Sequence, residues 1–388
     1  MATSSLSMIT EIMAAFAAST GLSGERPPRR YLWTDAFAVC NYLELYRQTT
    51  DRAYLNLAKR LVDQVHQVLG RHRTDDDRRG WISGLDEVEG RQHPTAGGLR
   101  IGKEMNERRE EEPYDLKLEW GRDGQYFHYL TKWMHALNRL SQVSGEPVYL
   151  RWAGELAATA ATAFCHRPKS GRPPAMYWKM SIDLSRPLVR SMGQHDPLDG
   201  YVSGREIEAA YTIYPDLEAP DLTRAIEKYA EMTRSLQLVT DDPLGLGGLL
   251  TDAFRLTQLR LAGDHRWPEL LLDLLRAIAM GLKEYAGHNM LDLPVEYRLA
   301  FRELGLAIGL HGLENMEEMA TANAEHFHGL EYFFTLIKEL LTYASLAEDI
   351  EQFWLEPANL KSKSWEAHKD INSVMLATTL GPLAYLRI

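Results

Sequence analysis

The chain has 388 residues, 45% hydrophobic and 25% charged, a balance that excludes a disordered or fibrous protein. Its formal net charge of −11, with no lysine- or arginine-rich tract, argues against nucleic acid and against an acidic membrane surface as partners. The two cysteines, Cys40 and Cys165, are too few for a disulfide framework or a Cys-rich zinc site and fit a reducing compartment, so the expected location is cytoplasmic.

The AAFAAST stretch near the start looks like part of a leader peptide, but no basic residues precede it and Glu11 interrupts the apolar run. Met8, Ile9, Ile12, Met13 and Phe16 instead fall on one face of a helix predicted from Ser4 to Ser19. No apolar run approaches the roughly 20 residues that span a bilayer, so no membrane passage is expected. The link GLSGERPPRR leads to Tyr31–Asp35, a helix from Thr34 to Gln48 and another from Asp51 to Gly70, joined by the turn TTD as an antiparallel hairpin. The pattern returns in Asp123–Val143 and Pro147–His166, joined by SGE. It echoes weakly at Tyr54, Leu55 and Ala58 against Tyr149, Leu150 and Ala153. Further pairs are predicted at Asp199–Tyr214 with Asp221–Leu238, Leu249–Leu261 with Trp267–Tyr285, and Val295–His311 with Leu330–Trp354. A last helix, Asp370–Leu386, has no successor and pairs with the first.

This gives about twelve helices in six hairpins without a strand pattern, an arrangement that stacks as an open solenoid or closes on itself. Closure is the expectation, because the first and last helices complete each other and the first helix of each pair is apolar almost all round. INSVMLATTLGPLAYL, TDAFAVCNYLEL and YRLAFRELGLAIGL are examples, and such helices are buried ones. The expected fold is therefore all-α, an (α/α)6 toroid of six helical hairpins, with residues 1–388 forming a single domain.

Loop lengths then indicate where function lies. Turns from inner to outer helix are short, whereas the returns Arg71–Arg122 and Arg167–Leu198 are long and gather at the N-termini of the inner helices. The richest polar stretch is Tyr177–Gly200, which carries Trp178, Lys179, Asp183, Arg186, Arg190, Gln194, His195, Asp196 and Asp199. The inner-helix starts supply Trp33 and Asp35; Asp123, Gln125, Tyr126 and His128; His195, Asp196 and Asp199; Asp252; Glu296 and Arg298; and His368, Asp370 and Asn372. The long loops add Trp81, His93, Trp120, Trp178 and Lys179. Aromatic rings among carboxylates, histidines and an arginine suit a polyhydroxylated small molecule, which offers apolar faces for stacking and hydroxyls for polar groups.

Plainer readings compete. Aspartate at a helix start is a common N-cap, stabilising by about 1 kcal/mol. His128 could be a satisfied core histidine, and His311, His326 and His328 read as structural. The glycines Gly245, Gly247 and Gly248 follow no strand and read as close helix packing rather than a phosphate loop. The charged stretch from Met105 to Pro113 reads as solvated and mobile. Harder to dismiss are the HDPLD cluster and the charges Glu296, Arg298 and Glu303 in an apolar helix, since buried charges are costly unless paired.

The order of WTDAF, RDGQYFHYL, GQHDPLDG, GGLLTDAF, LPVEYRLAF and AHKDINSVMLATTL resembles the six-hairpin glycosidase-like, (α/α)6-barrel superfamily over essentially the whole chain. The resemblance implies a carbohydrate-processing enzyme. In its unsaturated glucuronyl hydrolases, acidic residues stand at inner-helix starts, as Asp35 does in WTDAF. Its sugar 2-epimerases use paired histidines and an arginine, which His128, His195, His368 and Arg298 would supply.

The leading expectation is a glycoside hydrolase acting on a small soluble carbohydrate, with Asp199 or Asp123 as acid and Asp35 as its partner. Trp33 and Trp178 would stack on the sugar, and His195 and Arg298 would orient it, with Gln125, His128, Lys179, Asp196, Glu296, His368 and Asp370 completing the substrate contacts. A sugar epimerase or isomerase, a uronate lyase using Lys179, Arg186, Arg190 and Arg298, and a non-catalytic binding toroid are the alternatives. No HExxH or comparable spacing occurs, so neither a metal nor a cofactor is expected.

Overall fold

The computed structural model describes residues 2–168, 173–330 and 332–388. Residues 169–172 of the expected Arg167–Leu198 loop, and 331 of the predicted Leu330–Trp354 helix, lie outside the described residues. The chain divides into two compact units: Met1–Phe16 with Arg47–Thr49 and Gln237–Ile388, and Ala17–Tyr46 with Thr50–Leu236. Helix α1 (Ala2–Ser19) fully buries Ile9 and Met13 on the predicted face, and through Phe16 it belongs to the first of these units.

The second unit carries three of the predicted hairpins. Helix α2 (Leu32–Thr49), to Tyr46 in this unit, is buried almost throughout, whereas α3 (Arg52–Leu69) buries a single stripe at Ala58, Leu61, Val62, Val65 and Leu69. The turn between them uses Thr50 in the left-handed region (φ 59°) and Asp51 as N-cap, its carboxylate accepting from the Ala53 N–H at 2.8 Å. Short helices α4 (Glu87–Gln92) and α5 (Leu116–Gly121) interrupt the following loop. Helix α6 (Phe127–Ser144) ends on Gly145 at φ 74°, and α7 (Pro147–Phe164) starts on a proline, so SGEP is a helix stop followed by a helix start. Ala58 and Ala153, the echoed alanines, are both fully buried. The third pair is α8 (Asp196–Tyr211) and α9 (Thr223–Thr233).

Helices α6 and α8 are joined by polar rungs. Lys132 Nζ donates to Asp199 at 3.0 Å, His135 Nδ1 meets Glu206 at 2.8 Å, and Asn138 donates to the same Glu206 oxygen at 2.7 Å. Both residue numbers rise together along the rungs, so the two helices run parallel and begin at the same end.

The first unit repeats this logic with α10 (Pro243–Leu261), α11 (Pro268–Gly287), α12 (Ala300–Leu310), α13 (Gly312–Ala322), α14 (Phe333–Leu341), α15 (Leu346–Leu355), α16 (Lys363–Glu366), α17 (Lys369–Leu380) and α18 (Leu383–Leu386). A Cβ on Gly247 would collide with the Gly305 carbonyl, and one on Gly309 would meet Leu250 at 2.7 Å, so α10 and α12 cross at glycine contact and run parallel. The glycine cluster is close helix packing, as expected. The helix start is earlier than expected: Asp242 caps α10 by accepting from the Gly245 N–H at 2.9 Å, which leaves Asp252 deep inside the helix. The predicted Leu330–Trp354 helix is two helices, and the last one breaks at Gly381 before Pro382. Among the described residues no helix is long and apolar enough to cross a membrane.

The two long loops of the second unit are not strand-free. Strand β1 (Gln125–Tyr126) pairs antiparallel with β4 (Lys179–Met180), which pairs with β5 (Pro187–Val189); β2 (Cys165–His166) pairs with β3 (Ala175–Met176). At two or three residues each they are too short to show an alternating pattern in sequence. Nor is the Met105–Pro113 stretch merely solvated. Glu107 bonds Arg78 at 2.6 Å and the Ile182 N–H at 2.6 Å, while Arg108 reaches Glu119 at 3.2 Å.

Candidate active site

The start of each inner helix in the second unit decides which side chains face each other. Pairing of Gln125 and Tyr126 with β4 keeps them extended, so α6 begins at Phe127 and not at the predicted Asp123. His128 and Lys132 then fall one turn apart on the same face. Helix α8 begins at Asp196, which sets Asp196 and Asp199 likewise one turn apart. Gly193 lets the chain close tightly over Asp196, because a Cβ there would sit 2.5 Å from the carboxyl.

These faces meet. His128 Nδ1 lies 3.6 Å from Asp196 Oδ1, and Lys132 Nζ lies 3.0 Å from Asp199 Oδ2. The His128 side chain keeps 24% exposure while that of Asp196 keeps 7%. His128 Nδ1 and Asp196 Oδ2 are both buried atoms without a hydrogen-bond partner among the described residues. The two orphans belong to side chains that approach to 3.6 Å, and buried polar atoms without a partner call for an explanation. Aromatic rings surround them: Tyr126 stacks on His128 at 5.3 Å and 24°, Trp178 lies 5.2 Å from Tyr126, and Tyr129 packs 5.0 Å from His128 and 5.3 Å from Trp33.

Burial sets the charges. Removal from water, reinforced by the neighbouring Asp199, pushes the Asp196 carboxyl up to about 8. Burial also pulls His128 down to about 4, against the attraction of Asp199. For Asp199 burial acts upward too, but the bonded Lys132 ammonium, with His128 and His195, outweighs it and holds the carboxyl below its ordinary range. At neutral pH the group is therefore a protonated Asp196, a neutral His128 and an ionised Asp199–Lys132 pair.

Several of the residues expected at the site have partners of their own. Asp123, expected as an acid, has no exposure, and four donors occupy its oxygens: Arg100 at 2.8 Å, Arg73 at 3.3 Å, and the N–H groups of Gly102 and Gly124 at 2.9 and 3.1 Å. It ties the Arg100–Gly102 segment and Arg73 to the turn before β1. Asp35, expected as the partner carboxylate, is 1% exposed, accepts from the Tyr31 N–H at 2.9 Å and pairs with Arg30 at 3.4 Å, closing the first turn of its own helix. Gln125 and Lys179, expected to touch substrate, are fully buried. Gln125 joins Gly97, Leu99 and Ile182, and Lys179 gives its three donors to Glu119 and Arg122. Trp33, His128, Trp178, Asp196 and Asp199 come together as described, and the half-buried His195 directly precedes Asp196.

In the other unit Arg298 is 2% exposed and grips Glu303 at 2.6 Å, over the Phe353 ring at 3.5 Å. That pairing accounts for two charges which the sequence left unexplained. Glu296 lies in an exposed 3-10 turn rather than on the helix, His368 is exposed with its ring 5.5 Å from Phe301, and Asp370 is half-buried in the first turn of α17. Sequence reasoning missed Tyr129 and Lys132; the spacing of Lys132 one turn after His128 was the available signal.

No protein-family model and no curated protein matches the chain. Among solved structures, cellobiose 2-epimerase from Spirochaeta thermophila DSM 6192 is similar at a TM-score of 0.52 and 12% identity, covering 97% of this chain and 98% of that one. A sugar epimerase from a ruminal bacterium gives a TM-score of 0.42 at 11% identity, over 81% and 75% of the chains. An unsaturated glucuronyl hydrolase specific for heparin gives 0.33 at 14% identity, over 72% and 83%. The likeness to the first of these shows the fold, the all-α (α/α)6 class expected from the sequence.

Proposed function

We propose that the chain is an enzyme that shifts a proton on a small free sugar, an epimerase or isomerase, with His128 as base and Asp196 as acid. The observation that carries this reading is the adjacent pair of buried, unpartnered atoms, His128 Nδ1 and Asp196 Oδ2, within a wall of aromatic rings. A neutral imidazole accepts the hydrogen from the carbon next to a sugar carbonyl. The protonated carboxyl donates to the carbonyl oxygen, and an enediol results. Once the enediol has turned over, the imidazolium returns its proton to the opposite face of that carbon and the hydroxyl proton passes back to the carboxylate, giving the epimer; protonation of the neighbouring carbon with loss of the other hydroxyl proton gives the isomer. Beside this pair Asp199 helps to keep the proton on Asp196, and Lys132 helps to keep His128 without one. The half-buried rings Tyr129 and Trp178 offer apolar faces to a pyranose, with Trp33 and Tyr126 packed behind them. The similarity of fold to a sugar 2-epimerase over nearly the whole of both chains supports the same reading.

A second reading, glycoside hydrolysis, is favoured by one specific observation: Asp196 and Asp199, one turn apart, are pushed in opposite directions. That is the relation between a proton donor and an ionised partner. In this form the carboxyl pair is Asp196 with Asp199, in place of the expected pairing with Asp35. The cations of the lyase alternative are less available, since Lys179 and Arg298 bond buried partners.

Proton NMR in deuterated buffer separates the readings, with free hexoses and disaccharides as substrates. Deuterium entering the sugar at the carbon beside the carbonyl, with an isomeric product, is the expected result. New anomeric signals without such exchange would transfer the assignment to hydrolysis, and no change in any sugar would reject both.

A further inference from the structure

We propose that Trp120 and Trp178 form an outer platform for a second sugar ring, so that the substrate is an oligosaccharide of at least two residues; this rests on the carbohydrate reading above. The rings form a continuous series outward from His128. Tyr126 is 5.3 Å from His128, Trp178 is 5.2 Å from Tyr126, and Trp120 is 5.0 Å from Trp178. Exposure rises along it: Tyr126 is 3% exposed, Trp178 is half-buried, and Trp120 is 50% exposed. The last two rings stand at 77° and make an apolar corner open to solvent. A pyranose fits such a corner, with its apolar face on one ring and its C–H edge against the other.

The corner is held rigidly. Lys179, with its side chain fully buried, donates to the Glu119 and Arg122 carbonyls at 2.8 Å each and to the Glu119 carboxylate at 3.0 Å, bracketing Trp120 from both sides in sequence. Arg108 holds the other Glu119 oxygen at 3.2 Å, and Asp115 caps α5 by accepting from the Leu118 N–H at 3.0 Å. With the main chain fixed on both sides of Trp120 and its ring set against Trp178, the corner is preorganised, which limits the entropy lost on binding. Its continuity with the ring wall around His128 assigns the corner to the same ligand.

Isothermal titration calorimetry tests this with glucose, cellobiose, cellotriose, maltose and maltotriose against the full chain and its Trp120→Ala and Trp120→Phe variants. The expected result is that the wild type binds one disaccharide more tightly than glucose. Trp120→Ala then weakens that disaccharide about tenfold, the size of one aromatic contact, and leaves glucose unchanged. Trp120→Phe retains most of the affinity. Equal binding of glucose and every disaccharide by the wild type would remove the outer platform while leaving the carbohydrate reading standing. Equal weakening of glucose and disaccharide in Trp120→Ala would do the same. A wild type that binds no saccharide in the series overturns the carbohydrate reading and this inference with it. Self-association that Trp120→Ala abolishes, with saccharide affinities unaltered, would reassign the corner to a contact between copies.

Discussion

The carboxyl of Asp196 and the imidazole of His128, 3.6 Å apart, invert the usual order of proton affinity: the acid is pushed up to about 8 and the imidazole down to about 4. Burial is the main cause at both residues, because each is neutral in the form that burial favours. The same burial that makes Asp196 a proton donor makes His128 a proton acceptor.

A pH profile follows from these two shifts. Activity on the sugar substrate should rise through an acid limb near 4, where His128 loses its proton, and fall through an alkaline limb near 8, where Asp196 loses its own. Stability should respond with opposite signs. His128 is lowered on folding, so between 4 and its ordinary 6.5 the unfolded chain binds more protons and stability rises with pH. Asp196 is raised from 3.8 to about 8, so over that interval the folded chain binds more protons and stability falls with pH. Asp196→Asn should therefore be the more stable protein at pH above 8, and a pH series of urea unfolding reads the difference. An alkaline limb that survives in a catalytically active Asp196 variant would remove Asp196 as the donor.

Asp199→Asn tests the coupling. The charge of Asp199 is one of the causes that raise Asp196, while Lys132 opposes it. Neutralising Asp199 should move the Asp196 titration downward, measured by carbon NMR of labelled aspartate side chains. An unmoved Asp196 would mean that burial alone sets its proton affinity.

Asp123 and Asp196 should separate stability from chemistry. Asp123→Ala leaves Arg100 buried beside an empty partner position, and loss of one member of a buried pair costs about 3–5 kcal/mol. Denaturant unfolding should show that loss in Asp123→Ala, whereas Asp196→Asn should fold normally and lose most turnover. Near-normal stability of Asp123→Ala would contradict its assignment as a clamp.

Adjacent glycines in α10 should behave oppositely. Gly247→Ala drives a methyl group into the Gly305 carbonyl and should destabilise by about 1–3 kcal/mol. At Gly248 a Cβ meets nothing within 4 Å, so Gly248→Ala should stabilise by roughly 0.5–1 kcal/mol through helix propensity. Thermal unfolding of the two variants gives the comparison directly.

The helical hairpins were legible because their signals are local. TTD and SGEP encode a stop and a start within a few residues, and Ala58 and Ala153 sit where the repeat requires small buried side chains. The site was legible only as a neighbourhood. WTDAF places an aspartate in the first turn of α2 and RDGQY one shortly before α6, but what engages Asp35 and Asp123 comes partly from arginines up to 50 residues away in sequence, a distance that no periodicity reports. Lys179 looked like a ligand-binding cation for the same reason, since Glu119 lies 60 residues before it. The raised proton affinity of Asp196 has no sequence signal, because it depends on burial, a property of the packed state.

Lys179 holds the Trp120 turn largely through main-chain carbonyls, which every amino acid offers. Position 120 is thereby uncoupled from the clamp that fixes it. Its side chain is open to change by mutation while the turn keeps its shape, so under the proposed platform preference for ligand length would be adjustable at one codon. A saturation library at residue 120 alone would sample that preference without repacking the core.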